Sequence, residues 1–314
     1  MQAITVSELG GPEALQETQL PIPEPKDGEV LVRVLAAGAG PWDVSLRTGR
    51  VPHDLPFIPG GEFAGLVVGG TGDDASFEDG EPVYGYPGLT GCYAEYVTCP
   101  SEQLAPIPAG LSAADAAAAP IDALTALQGL RDHLGLGSGD TVLITAAAGG
   151  LGHLAVQIAR KLGANVIATA SQQHHQFVHS LGAATVLDHM KPDWPEQVRD
   201  LTDGGAGRVL ACAGPTLAGA ARAARDGAVI ATPVHADTLP EAERVVWRHY
   251  DGQPSGSDLI WLAPWFDDGS VAVHVSRRYF WKDAAAAHRQ LEQGHSPGKL
   301  ALIVDEDLAA KMGV

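Results

Sequence analysis

TVLITAAAGGLGHLAVQIARKLGANVIATAS, spanning residues 141–171, changes character three times within one short segment. Residues 141–145 form a β-branched and apolar run with the length of a buried strand. Ala146, Gly149 and Gly152 then spell A-x-x-G-x-x-G. Leu151, Leu154, Ala155, Ile158, Ala159 and Leu162 follow at the i, i+3, i+4, i+7, i+8, i+11 spacing of one helix face, and Gly163 stands where a helix would end. Residues 165–169 are a second buried-strand run. Strand, small-residue turn, helix and strand make a right-handed βαβ unit. Small residues at such a turn let the main chain approach a pyrophosphate. The helix beyond offers free N–H groups and a partial positive charge. Ala147, Ala148, Gly149, Gly150, Leu151 and Gly152 are therefore the candidate phosphate cradle. Glycines also mark ordinary βα turns, but the strand before and the helix after supply the context of a dinucleotide fingerprint.

The alternation continues downstream. Helices are expected at 172–181, near 194–201 and at 217–224, with strands at 185–187, 208–212 and 228–232, the last after an Asp226–Gly227 turn. A strand candidate at 245–250 closes the series, which reads as a doubly wound parallel sheet. Residues 1 to about 120 behave differently. Strand candidates at 3–6, 30–35, 63–68 and 92–98 are separated by PIPEPKDGE, GGTGDD and YGYPGLTG, the punctuation of a β-rich domain. Ser112, with Asp115 three residues on, signals a helix start, and a helix over 121–133 leads into the βαβ unit. The tail offers a strand at 271–275, a helix at 284–291 and a strand at 300–304.

Composition narrows the partners. Of 314 residues 45% are apolar and 18% charged, enough for a sizeable core. No apolar run reaches the roughly 18 residues of a membrane span, and MQAITVSELGG lacks the basic start and apolar centre of a signal peptide. Cys92, Cys99 and Cys212 cannot make a four-thiolate zinc cluster or a disulfide framework, so a reducing cytoplasm is expected. A net charge of −18 repels phosphate backbones, which argues against a nucleic-acid partner.

The motifs, taken together, resemble one family. ITVSELGGPEAL, KDGEVLVRVLAAG, LPFIPGGEFAG, GCYAEYV, AAAGGLGHLAVQIA, FVHSLGA and AAAAHRQLEQGHSPGKLAL occur in matching order along nearly the whole chain. The chain is similar to medium-chain dehydrogenases/reductases of the zinc-free quinone oxidoreductase, or zeta-crystallin-like, type. The resemblance implies an α/β fold: a Rossmann domain over 123–267 and a GroES-like catalytic domain built from both chain ends, 1–122 and 268–314. It implies hydride transfer from NADPH to a quinone or an activated alkene.

In the zinc-dependent relatives the matching positions bear a Cys, a His and a second Cys; here they are Gly40, Gly61 and Ile121, so no catalytic metal is expected. The chain also departs from the reductase pattern. Gly40 stands for the usual Asn, no Tyr lies near Arg50 and Val51, and Ala211 takes an acidic place. These departures motivate a second reading, a dinucleotide-binding protein without redox turnover. The resemblance marks Trp42, Asp43 and His53 as flanking the expected cleft. His53 could donate a proton, yet it also fits a solvated loop; Asp43 also fits a turn, and Trp42 a pocket wall. Thr125 matches a Thr near the nicotinamide ribose, against a helix hydroxyl bonding its own backbone. Lys299 matches the family's closing Gly-Lys, against a solvated charge.

The cofactor is expected to be NADPH. NAD-binding units end the second strand on Asp or Glu to hold the ribose hydroxyls. That place is Ala170–Ser171, and no acidic residue occurs from 165 to 187. Ser171, Gln172 and Gln173 can donate neutral hydrogen bonds, and His174 or His175 could add charge when protonated. A homodimer is expected through the edge strand at 245–250, since an uncovered apolar edge invites pairing.

Overall fold

The computed structural model describes residues 1–70, 77–234, 239–240, 243–294 and 296–305. In chain order its elements begin with β1 (Gln2–Val6), β2 (Leu15–Gln19), β3 (Glu29–Ala39), α1 (Pro41–Arg47), β4 (Phe63–Gly70), β5 (Pro82–Gly85), β6 (Tyr96–Pro100), β7 (Leu104–Pro106) and α2 (Ala113–Ala117). They continue through α3 (Pro120–Gln128), β8 (Thr141–Ile144), α4 (Gly150–Lys161), β9 (Asn165–Ala170), α5 (His175–Ser180), β10 (Thr185–Asp188), α6 (Trp194–Leu201), β11 (Ala206–Leu210), α7 (Leu217–Ala223), β12 (Ala224–Thr232) and β13 (Val246–His249). The last are α8 (Gly256–Asp267), β14 (Val275–Phe280), α9 (Ala284–Gln293) and β15 (Lys299–Ile303). The chain divides into two units, one of Met1–Ile121, Pro254–Gly269 and Val273–Val314, the other of Asp122–Gln253 and Ser270–Ala272.

The first unit is organised by β3. Its first half alternates, burying Val30, Val32 and Val34 while Arg33 faces out; its second half is buried on both faces. It therefore sits mid-sheet, in the order β14-β15-β3-β4-β5-β7, with β6 also pairing to it. β15 from the chain's tail lies antiparallel to β3, so both chain ends meet in one sheet. The alanines of α2 are buried, small enough to let that helix lie against β3 and β4. Ser112 caps α2, its side chain accepting from the Asp115 N–H at 3.2 Å.

The second unit is a parallel sheet in the order β10-β9-β8-β11-β12-β13. With β8 as first strand this is the 3-2-1-4-5-6 order of doubly wound dinucleotide folds. Leu154, Ala155, Ile158 and Ala159 are buried as the helical spacing requires, and Gly163 closes the helix at φ 86°. β13 forms one edge of this sheet, as expected.

Four expectations need correction. The segment 256–267, read with the Rossmann domain, forms α8 and packs in the first unit. There the Tyr84 hydroxyl donates to the Leu259 carbonyl at 3.4 Å and the Gly110 N–H to Asp267 Oδ1 at 3.2 Å. The strand expected at 271–275 begins only at Val275. Ala272 is held instead by Gln157, whose Nε2 donates to its carbonyl at 2.9 Å and whose Oε1 accepts its N–H at 2.8 Å. Within 92–98 the ladder starts at Tyr96; the earlier residues make a single bridge with β1, where the Ile4 N–H donates to the Tyr93 carbonyl at 2.8 Å. The helix over 121–133 is α-helical only to Gln128, and residues Gly129–His133 wind as a π-helix. The turn expected in GGTGDD falls mostly outside the described residues. Among the described residues no helix is long and apolar enough to cross a membrane.

Candidate active site

The turn between β8 and α4 has a close-packed backbone. Ala146 adopts φ 52°, a left-handed conformation, and its N–H donates to Thr169 Oγ1 at 3.3 Å. The Ala147 N–H donates to the Thr169 carbonyl at 2.8 Å, so the turn is tied to β9 from its first residues. A β-carbon on Gly152 would lie 2.3 Å from the Ala146 oxygen and 2.6 Å from the Ala147 Cα, so only glycine lets α4 start this close to the turn. Gly149 is the N-cap. Ala147 and Ala148 are buried and line the turn from within. The first-turn N–H groups of Gly150, Leu151 and Gly152 have no acceptor inside the helix. His153, missed by sequence reasoning, is fully buried, and its Nδ1–H donates back to the Gly149 carbonyl at 3.0 Å. This small, positively polarised cradle fits a pyrophosphate.

The end of β9 supplies a second cluster. Ser171 is half-buried and precedes a single turn over Gln172–His174. His175 Nε2 donates to the Ala170 carbonyl at 3.2 Å, while His174 is half-buried beside Gln173. The sheet adds two residues that no linear reading reaches. Asp188 at the end of β10 stands in register with Ala170, and the His189 N–H points to the Ala170 carbonyl at 3.4 Å. Asp188 Oδ1 is engaged by the Met190 N–H at 3.0 Å. His189 Nδ1 is buried without a hydrogen-bond partner among the described residues. Only the strand register could have revealed this pair.

Between β8 and β11, where the strand order reverses, hydroxyls replace charge. Thr145 Oγ1 lies 2.7 Å from Thr216 Oγ1 and accepts the Cys212 N–H at 3.2 Å. Ala211 is fully buried, its carbonyl accepting from Thr232 Oγ1 at 2.8 Å. Thr125 on α3 is also buried, with its hydroxyl oxygen turned toward Gly252.

The remaining candidates belong to the first unit. Asp43 is buried on α1 and spends its carboxylate on the backbone: Oδ2 accepts the Gly40 N–H at 2.8 Å and Oδ1 the Gly60 N–H at 3.0 Å. Burial pushes its pKa up to about 6, against the two N–H donors, the Lys299 charge and the Tyr93 hydroxyl. Asp43 thus holds two loops together rather than facing solvent. Behind it, Tyr93 Oη lies 3.4 Å from His288 Nε2, and Arg47 Nε donates to His288 Nδ1 at 3.2 Å. Burial and the Arg47 charge hold His288 down to about 3, so it stays neutral. Since Nδ1 accepts from Arg47, Nε2 carries the proton, and the chain of donors runs from Arg47 through His288 and Tyr93 to Asp43. His53 is exposed, its ring edge-on to Phe57 at 4.9 Å. Trp42 is half-buried against the Val6, Leu46 and Phe57 cluster.

Lys299 is not a solvated cation. Its Nζ lies 2.8 Å from Glu62 Oε1, and both side chains are about 95% buried, at 5% and 3% exposure. The other oxygen, Glu62 Oε2, accepts the Ile121 N–H at 2.9 Å. A β-carbon on Gly38 would meet Glu62 Oε1 at 2.3 Å, so that glycine makes room for the pair. The positions matching zinc ligands do not fit a metal. A β-carbon on Gly61 would sit 2.8 Å from the Gly88 oxygen and 2.9 Å from Ile121 Cδ1, whereas beside Gly40 there is open space. Among the described residues no three His, Cys, Asp or Glu side chains converge on a point.

Comparison with known proteins agrees with this geometry. Residues 26–109 match the family described as alcohol dehydrogenase GroES-like domain, and residues 150–233 match that described as zinc-binding dehydrogenase. A chloroplast envelope quinone oxidoreductase homolog of Arabidopsis thaliana is 36% identical over 205 residues, a stretch covering 62% of this chain and 62% of that protein. The crystal structure of an NAD-dependent alcohol dehydrogenase superposes with a TM-score of 0.88 at 32% identity, covering 97% of this chain and 100% of the other. The quinone oxidoreductase of Escherichia coli, solved in complex with NADPH, superposes with a TM-score of 0.88 at 26% identity, again over 97% and 100% of the two chains.

Proposed function

Because this chain belongs to the medium-chain dehydrogenase/reductase superfamily, on its zinc-free quinone oxidoreductase branch, we propose that it is an oxidoreductase that uses NADPH to reduce a quinone or an activated alkene. The observation that carries the reading is the cradle at 146–152, where Gly152 alone permits α4 to begin against the turn. NADPH, when bound, supplies the hydride. The chain's own residues bind and orient it. The turn and the first N–H groups of α4 hold the pyrophosphate. Ser171, Gln172, Gln173, His174 and His175 face the 2′-phosphate, with His189 Nδ1, which has no hydrogen-bond partner among the described residues, as a further ring nitrogen. Thr125 serves the nicotinamide ribose, and Ala211 leaves the wall there uncharged. Trp42 gives an aromatic wall for a flat acceptor, and Asp43 ties the start of α1, which bears it, to Gly40 and Gly60. Lys299 holds Glu62 and the chain at Ile121. The developing negative charge on the acceptor is met by backbone N–H groups or a ribose hydroxyl. The final proton comes from water or from the exposed His53.

Recognition of the 2′-phosphate separates the two dinucleotides: NADPH should bind more tightly than NADH, which lacks that group. The homodimer through β13 and a cytoplasmic location belong to the same reading, supported by the exposed Val246 on that edge and by the absence of a cysteine framework. The open space beside Gly40 and the uncharged Ala211 favour a second reading, dinucleotide binding without turnover. A panel of quinones and enones, followed by NADPH absorbance, separates the two. Binding without oxidation by any acceptor would leave the second reading standing. Equal affinity for NADH and NADPH would end the cofactor assignment.

A further inference from the structure

Two bare positions interlock beside Thr125. A β-carbon on Gly129 would lie 2.1 Å from the Tyr250 hydroxyl, and one on Gly252 would lie 2.1 Å from Thr125 Oγ1. Tyr250 donates its hydroxyl to the Thr125 carbonyl at 2.9 Å, and its ring stacks on His133 at 4.4 Å. Gln128 then takes both backbone groups of Gln253, with Nε2 donating to the carbonyl at 2.9 Å and Oε1 accepting the N–H at 2.8 Å. Thr125, Gln128 and Gly129 stand at i, i+3 and i+4, one face of a helix. Where residues 250–253 dock on that face, the α-helix gives way to the π-helix over Gly129–His133, a distortion that recurs at functional sites. Arg248 at the end of β13 donates to the His133 carbonyl at 2.6 Å and pins the far side of the same turn.

Threonine in a helix divides between two χ1 rotamers, because its hydroxyl can bond a carbonyl one turn back. Packing of Gly252 against Oγ1 selects between them. We infer that Tyr250, Gly252 and Gln128 form a brace that fixes the rotamer of Thr125, and that they are positioning residues for the cofactor. This inference rests on the proposed role of Thr125 at the nicotinamide ribose.

The test is NADPH titration by fluorescence on the full chain, with thermal unfolding alongside. Thr125→Ala and Tyr250→Phe should each weaken NADPH binding about three- to tenfold, the effect of one lost hydrogen bond. Tyr250→Phe keeps the ring on His133, so its melting point should stay within a few degrees of the parent. Gly252→Ala drives a methyl into the hydroxyl and should weaken binding more than about tenfold. Adding Thr125→Ala to it removes the 2.1 Å clash and leaves only the contacts at 3.1 and 3.2 Å to the Cβ and Cα of residue 125, so affinity should return to near that of Thr125→Ala alone. A purely structural brace would show no such rescue. The brace is overturned if Thr125→Ala weakens binding while Tyr250→Phe and Gly252→Ala bind like the parent, or if the double variant is as weak as the two losses added. A parent chain that binds no NADPH overturns the functional reading itself. Should Gly252→Ala fail to fold, Tyr250→Phe still decides.

Discussion

Removing one member of the Glu62–Lys299 pair should cost far more than removing both. At 2.8 Å, an effective dielectric of about 20 gives an attraction of roughly 6 kcal/mol. Desolvating two charges this deeply offsets most of it, so the pair contributes little net stability. Glu62→Gln leaves the ammonium buried without a counter-charge, and Lys299→Met does the same to the carboxylate; each should lose about 3–5 kcal/mol. For a unit of this size that is a fall in melting temperature of roughly 10 °C. The double variant Glu62→Gln/Lys299→Met removes both charges at similar volume. Its Gln can still accept the Ile121 N–H, and it should lie within about 1 kcal/mol of the parent. Urea unfolding of the four proteins, with NADPH titration of each, gives the coupling energy directly. A Lys299→Met variant that unfolds like the parent but loses NADPH affinity would refute this reasoning and make Lys299 a cofactor ligand.

Four further outcomes follow from the same geometry. The Asp43 pKa is raised from 3.8 to about 6, so its stabilising neutral form is present below about pH 4 and lost as pH rises through about 6. Relative to Asp43→Asn, the parent should lose about 3 kcal/mol between about pH 4 and about pH 7 in urea titrations; parallel pH profiles would contradict this. Gly152→Ala forces a methyl against backbone and should weaken NADPH binding more than about tenfold, with about 1–3 kcal/mol lost in unfolding. Gly40 has extended backbone and open space, so Gly40→Asn should fold normally, with an unchanged or slightly higher melting point; a large drop would mean that the space is not free. Metal analysis of the purified chain should find far less than stoichiometric zinc, and stoichiometric zinc bound at Glu62 would overturn the account of that site.

What was legible in the sequence is what depends on near neighbours. The cradle at 146–152 and the buried face of α4 lie within a few residues of each other, so periodicity and glycine placement suffice. The Ser112 cap is likewise local. Asp43 was half legible: its bond to the Gly40 N–H spans three residues, as a turn reading allows, whereas its bond to Gly60 does not. The roles of Glu62 and Lys299 were not legible, because each is set by partners brought close only by the fold. Arg47 and His288 are separated by 241 residues and meet at 3.2 Å. A lone Lys in a tail carries no mark of the carboxylate waiting for it. The only hint was indirect: Gly38 lies in a β-strand that any other residue would suit better, and a bare position in a strand signals a close approach. His189 needed the register of β10 against β9. α8 was unreadable for a different reason. Leu259, Ile260, Trp261, Leu262, Ala263, Trp265 and Phe266 are apolar nearly all the way round, so no face declares a partner.

Gln157 brackets Ala272 much as a neighbouring strand would, with a side-chain amide in place of a peptide. The nucleotide-binding unit is therefore not one continuous length of chain. Three residues from much later, Ser270–Ala272, complete it, and Val271 among them is fully buried. Anyone grafting this unit into another member of the superfamily, by exchanging 122–253 alone, would import a glutamine whose amide was shaped for a visitor left behind. A chimera should transplant the tripeptide with the block, or replace Gln157 to suit the host's own segment. By the same token, substitutions at 157 and 270–272 should be compared across relatives as one unit of inheritance, despite the 115 positions between the glutamine and its partner.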